Sequence, residues 1–190
     1  MSNPLPLRPD AIYHIYNRGN NSQNLFIEER NYPYFLRLYI RHVHPVVDTY
    51  AYCLLRNHFH LLVKVKLEDQ VQKPPSQYFA NLFTAYAKGM NRAYARTGSL
   101  FERPFQRFEV TDEGHLIQLV IYIHLNPVQH GFVEDLADWS FSSYNALRTT
   151  KPTRLRRDVV LDWFGGQQAF VDAHKVDAVD LSGLPDLTGL

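Results

Sequence analysis

The order of hydrophobic and polar positions already divides the chain into elements. Residues 11–18 (AIYHIYNR) alternate, with Ile12, His14 and Tyr16 on one side and Tyr13, Ile15 and Asn17 on the other, which predicts a strand running into the loop GNNSQN. Glu28 to His42 carries Phe35, Leu38 and Tyr39 at helical spacing, with Pro33 in its first turn. Val46–Leu55 reads as a strongly apolar strand. After a short polar connection, HFHLLVKVK has a clean period of two: Phe59, Leu61, Val63 and Val65 share one face, and His58, His60, Leu62, Lys64 and Lys66 share the other. Two strands so joined predict an antiparallel hairpin.

Beyond the loop LEDQVQKPPSQ, Ser76 to Arg96 predicts a long helix whose stripe is Phe79, Leu82, Phe83, Tyr86 and Met90. Phe105–Val110 predicts a further strand. Thr111 or Asp112 then caps a helix from about Glu113 to Asn126, stopped by Pro127. The order strand, helix, strand, strand, helix, strand, helix defines an α+β fold with helices on an antiparallel sheet.

Length and composition narrow the class. At 190 residues, 45% hydrophobic and 21% charged, the chain is of ordinary globular make-up, sized for one domain with at most a short appendage. Its single cysteine, Cys53, excludes a disulfide framework and a multi-cysteine zinc site. No apolar run reaches the roughly 18 residues a membrane span needs, and no secretory signal is readable, so a soluble cytoplasmic protein is expected. The net charge of +1 hides an asymmetry. From Asp158 onward six acids face one base, a net of −5, which leaves +6 over residues 1–157. The basic run RTTKPTRLRR precedes that change of sign. A basic body permits a polyanionic partner, and the 12 Tyr and 12 Phe could stack on unpaired bases, although such rings more often fill a core.

Two constellations carry chemistry. On a strand, His58 and His60 present two imidazoles from one face, half of a metal site; alternatively they are two partly exposed histidines on a polar sheet face. On the last core helix, His115, Gln118, Tyr122 and Asn126 follow one flank at spacings of three, four and four. There Asn126 can supply a third ligand while Tyr122 reaches a substrate; otherwise Tyr122 packs at the core edge and Asn126 caps the turn.

Together, RNHFHLLVKV and, some sixty residues later, VIYIHLNPV resemble the single-tyrosine transposases of the HUH endonuclease superfamily, most closely the REP-associated tyrosine transposases. LFERPFQRFEV and WSFSSY also look like family positions, and the likeness spans about residues 11–147. After Pro127 and Val128 the chain reads Gln129-His130-Gly131, where relatives often read Arg-Ala-Gly. The resemblance implies a ferredoxin-like, RRM-like antiparallel sheet flanked by helices, with a catalytic domain over residues 1–147 and a basic-then-acidic extension over 148–190. It also implies a divalent metal, Mg²⁺ or Mn²⁺, held by His58, His60 and Asn126, with Tyr122 as nucleophile. The implied substrate is single-stranded DNA beside a hairpin, cut through a 5′-phosphotyrosine and rejoined without ATP. Arg18, Arg56, Asn57, Lys64, Arg103 and Arg107 are candidate DNA contacts. Two rivals stand beside this reading: a nuclease that uses water, and a catalytically inactive single-strand-binding module on the same scaffold. Monomer and homodimer are both open.

Overall fold

The computed structural model describes residues 5–175. Four strands, β1 (Ile12–Arg18), β2 (Val47–Leu54), β3 (His58–Val65) and β4 (Gln106–Glu109), form one sheet in the order β2-β3-β1-β4. Every neighbouring pair is antiparallel. Helix α1 (Asn31–His42) follows β1 and α2 (Pro75–Ala93) follows β3. This is the ferredoxin-like arrangement expected from the sequence, with β1 and β3 central.

Strand parity makes the layers. Phe59, Leu61, Val63 and Val65 of β3, with Tyr13 and Ile15 of β1, meet Phe35 and Tyr39 of α1 and Phe79, Phe83 and Tyr86 of α2 in one core. The opposite face is covered as well. Leu62, Ala51 and Cys53 pack against Leu119, Val120 and Ile123 of α3 (Glu113–Gln129). Hence His58 and His60 do not lie on an open polar face: they are 1% and 0% exposed. The alternation of β3 is compatible with either environment, and only the docking of α3 decides it.

Several boundaries shift for local reasons. The turn before α1 is closed by Asn31 Oδ1, which accepts from the backbone N–H groups of Ile27 and Glu28, so the helix starts at Asn31 rather than Glu28. Helix α2 ends early because Ala95 adopts a φ of +50°. Asp112 is the cap of α3, accepting from the His115 N–H at 3.1 Å. Pro127 does not stop α3. It removes one backbone donor, but the next turn closes regardless, His130 N–H donating to the Asn126 carbonyl at 2.9 Å, and the helix runs to Gln129.

Three short helices, α4 (Tyr144–Arg148), α5 (Arg157–Trp163) and α6 (Gln167–Ala173), complete the α3 layer through Tyr144, Leu147, Val160 and Phe170. Half of the acids of the expected acidic end, Asp177, Asp180 and Asp186, lie outside the described residues. A buried polar chain binds the last helix to the rest. The Phe170 carbonyl can only accept, so His174 Nδ1–H donates to it at 2.7 Å. Neutral His174 then offers Nε2 to His124 Nδ1–H at 2.8 Å, and His124 Nε2 in turn faces Ser143 Oγ at 2.7 Å. Ser143 Oγ also accepts from the Tyr52 N–H of β2 at 2.9 Å. Burial pushes His174 down to about 4 and His124 well below the ordinary histidine range.

A histidine whose folded pKa is depressed binds protons more readily when unfolded. Stability is therefore expected to be complete above about pH 6.5 and to fall as pH drops from there toward 4, by up to about 1.4 kcal/mol per pH unit for each such histidine. Urea midpoints at pH 7.5, 6 and 5 measure it. His174→Phe, which removes one titrating group, should flatten the slope.

Candidate metal and nucleophile site

The site forms where β3 passes under α3. Alternation sends His58 and His60 to the α3 side, their rings nearly perpendicular with centroids 5.2 Å apart. Each ring is held at Nδ1. His58 Nδ1 lies 2.8 Å from Asn57 Oδ1, so the proton sits on Nδ1 and the Nε2 lone pair is free. His60 Nδ1 lies 3.0 Å from His14 Nε2.

Helix α3 supplies the other half. Tyr122 and Asn126 stand one turn apart on the same flank. The Asn126 amide is oriented by its own helix: Nδ2 donates to the Tyr122 carbonyl at 2.8 Å, and because a carbonyl only accepts, Oδ1 must face the other way. The Tyr122 ring meets His60 edge-on with centroids 5.4 Å apart.

Three buried atoms, His58 Nε2, His60 Nε2 and Asn126 Oδ1, have no hydrogen-bond partner. Hydrogen bonding toward Asn126 works against burial at all three groups, raising the pKa of His58 and His60 and lowering that of Tyr122, although no bond of ordinary geometry joins His58 Nε2, His60 Nε2 and Asn126 Oδ1. Three polar atoms gathered from two elements and left unpaired suit a cation when His60 carries its proton on Nδ1, since a buried polar atom without a partner is costly. Desolvation pushes His58 down to about 4 and His60 well below its ordinary value. Both imidazoles are thus neutral and able to ligate near pH 7. Among the described residues no group of three or more His, Cys, Asp or Glu is disposed to hold a metal, so a three-ligand set here would need the Asn126 amide. Burial raises the Tyr122 pKa, opposed by Asn126, so the phenol is protonated at neutral pH.

The six candidate DNA contacts separate by location. Arg18, opposite His58 in the β1–β3 register, shares the histidine face and pairs with Glu102 at 2.7 Å. Arg56 lies over the Phe132 ring at 5.9 Å, just past the end of α3. Asn57 is turned to His58. Lys64 is paired with Asp10 at 2.6 Å and lies six residues along β3, about 20 Å from His58. Arg103 belongs to the loop that carries Glu102, on the rim of a groove against α2. Arg107 stacks on Phe105 at 4.3 Å and, opposite Ile15 in the register, belongs to the α1–α2 side of the sheet.

Two histidines join the site without having been singled out as site residues. His14 backs His60, and the His130 ring lies 5.0 Å from that of His58. His14 had one signal in the sequence, its place beside Tyr16 on one side of an alternating strand, but its nearness to His60 depends on a β1–β3 register that no local pattern reveals.

Fold and site together define a ferredoxin-like α+β domain in which a His-x-His strand faces a tyrosine-bearing helix. No family model matches the chain. It is similar to the REP-associated tyrosine transposases in sequence and in fold: it is 31% identical over 108 residues to a Haemophilus influenzae protein assigned to them. That alignment covers 54% of this chain and 61% of the relative, so the chain spans about three-fifths of that protein's length. A solved structure of a REP-associated tyrosine transposase bound to a REP hairpin superposes with a TM-score of 0.62 at 15% identity, over 77% of this chain and 84% of that one, a likeness of fold. Among the described residues no helix is long and apolar enough to cross a membrane.

Removing an orphaned acceptor should stabilise the metal-free protein. Asn126→Leu loses the bond to the Tyr122 carbonyl but also the unpaired Oδ1, and a net gain of about 1 kcal/mol in urea unfolding without divalent ions is expected. An equal or larger loss would mean that Oδ1 is satisfied in solution.

Proposed function

We propose that this protein is a divalent-metal-dependent single-stranded DNA endonuclease and strand transferase, acting beside a hairpin through a 5′-phosphotyrosine at Tyr122. The observation that carries the proposal is the meeting of three unpartnered buried polar atoms with a phenol in one site. The name of the Haemophilus relative and the hairpin bound to the solved neighbour support the same reading.

His58, His60 and Asn126 would hold the cation, Mg²⁺ or Mn²⁺. When bound, such an ion neutralises a non-bridging phosphate oxygen and orients the scissile phosphate. Tyr122 supplies the nucleophile. Its oxygen forms a bond to phosphorus as the bond to the 3′ oxygen breaks; the phenolic proton is lost to the medium and the departing 3′ oxygen takes one up from it, so that strand leaves as a 3′-OH. The phosphotyrosyl linkage conserves the energy of the broken diester, so attack by a 3′-OH rejoins strands without ATP. Tyr122 is 6% exposed and belongs to the cluster that packs α3 on the sheet, so the covalent band, not burial, separates this reading from a water-using nuclease. Arg18 and Arg56, beside the histidines, would meet phosphates, which contribute affinity rather than sequence preference. One chain brings Tyr122 to His60, which supports a nucleophile acting in cis.

A hairpin-bearing single-stranded oligonucleotide, labelled at either end and incubated with Mn²⁺, tests the proposal. A covalent protein–DNA band should carry the 3′ label and not the 5′ label. In Tyr122→Phe that band should fall by at least about 10³-fold, the scale of losing a nucleophile. Cleavage with no covalent band points to the water nuclease. Binding that neither chelator nor His58→Ala alters, with no cleavage, points to a binding module.

A further inference from the structure

We propose that His14 is a positioning residue for His60: by accepting its Nδ1–H, His14 keeps the His60 Nε2 lone pair aimed at the cation position. The inference rests on the reading that His58, His60 and Asn126 hold a metal, and it adds a residue to which neither that reading nor the sequence motif assigned a task.

The geometry is specific. His14 Nε2 and His60 Nδ1 are 3.0 Å apart, both residues are fully buried, and the rings are stacked with centroids 5.1 Å apart and planes 9° apart. The sheet imposes the contact. His14 is paired with Leu62, and Tyr16 with His60, so His14 and His60 are diagonal neighbours on one face. Three rings hold His14 in turn: Tyr16 at 5.1 Å, Phe108 edge-on at 5.0 Å and Tyr122 at 6.4 Å.

One proton lies between two neutral imidazoles, which leaves two arrangements. If His14 donates, His60 Nε2 carries a hydrogen that faces the unpaired atoms of the site and cannot ligate. If His60 donates, its Nε2 is a lone pair and the other proton sits on His14 Nδ1, which is buried without a partner. Each arrangement leaves one N–H unsatisfied, inside the site in the first and behind it in the second. Only the second is compatible with a cation, so ligation selects it. An isolated histidine prefers the opposite tautomer, with its proton on Nε2, and His14 is the group in position to reverse that preference. Asn57 performs the matching task for His58.

Two variants test this. His14→Leu removes the acceptor; His14→Gln places an amide oxygen near the lost Nε2. Mn²⁺ alone, without DNA, is titrated by calorimetry or electron paramagnetic resonance, and histidine tautomers are read from ¹⁵N shifts in metal-free protein. The expected result is a loss of Mn²⁺ affinity of about 10–100-fold in His14→Leu with substantial recovery in His14→Gln. His60 should show its proton on Nδ1 in the wild type and in His14→Gln, and on Nε2 in His14→Leu. A wild type that binds no Mn²⁺ removes the metal reading and this inference with it. A wild type that binds, with His14→Leu binding equally well and His60 keeping its tautomer, overturns the role of His14 alone.

Discussion

Everything the site can do follows from three buried polar atoms held together without a hydrogen-bond partner. His58 Nε2, His60 Nε2 and Asn126 Oδ1 each lack a partner, and a buried unpaired acceptor costs about 1–3 kcal/mol. The fold tolerates that cost because the far end of each side chain is tied: His58 to Asn57, His60 to His14, and Asn126 to the Tyr122 carbonyl. Rotating any of the three to find a donor would break the bond behind it. The site is preorganised by what stands at its back.

The same constraint explains the weight of structure beyond α3. Asn126 and Tyr122 face β3 only if α3 is held flat on the sheet, and its buried stripe of Leu119, Val120 and Ile123 does part of this. The remainder comes from α4–α6 and the polar chain Ser143–His124–His174, which joins β2, α3 and α6 through neutral histidines. Two buried histidine groups thus serve opposite ends on one helix. Around His124 every ring nitrogen is satisfied; around His58 and His60 the inward nitrogens are not, and the proposed function rests on that difference. Arg18, paired with Glu102, and Arg56, over the Phe132 ring, lie beside the neutral interior.

Much of this was legible in the sequence. The period of two over HFHLLVKV set Phe59 and His58 on opposite faces, and the three-four-four spacing set Tyr122 and Asn126 on one flank. Both are local consequences of backbone geometry. The passage of α3 through Pro127 was not legible, because a proline inside a helix normally ends it and only tertiary packing overrides that tendency. Nor was the burial of the histidines, which depends on a helix some sixty residues away. Arg107 and Lys64 show the same limit. Chain proximity drew Arg107 toward the site and a shared strand face drew Lys64, whereas strand parity puts Arg107 on the other face and strand length carries Lys64 away. His14 was visible as one member of an alternating strand; its partner was hidden in the register.

A crystal soaked in Mn²⁺ and measured at an anomalous wavelength tests the central claim most directly. The account predicts a single strong peak bounded by His58 Nε2, His60 Nε2 and Asn126 Oδ1, each at about 2.0–2.3 Å. No peak at that position, or an Asn126 amide turned to donate its N–H to a histidine, would contradict it.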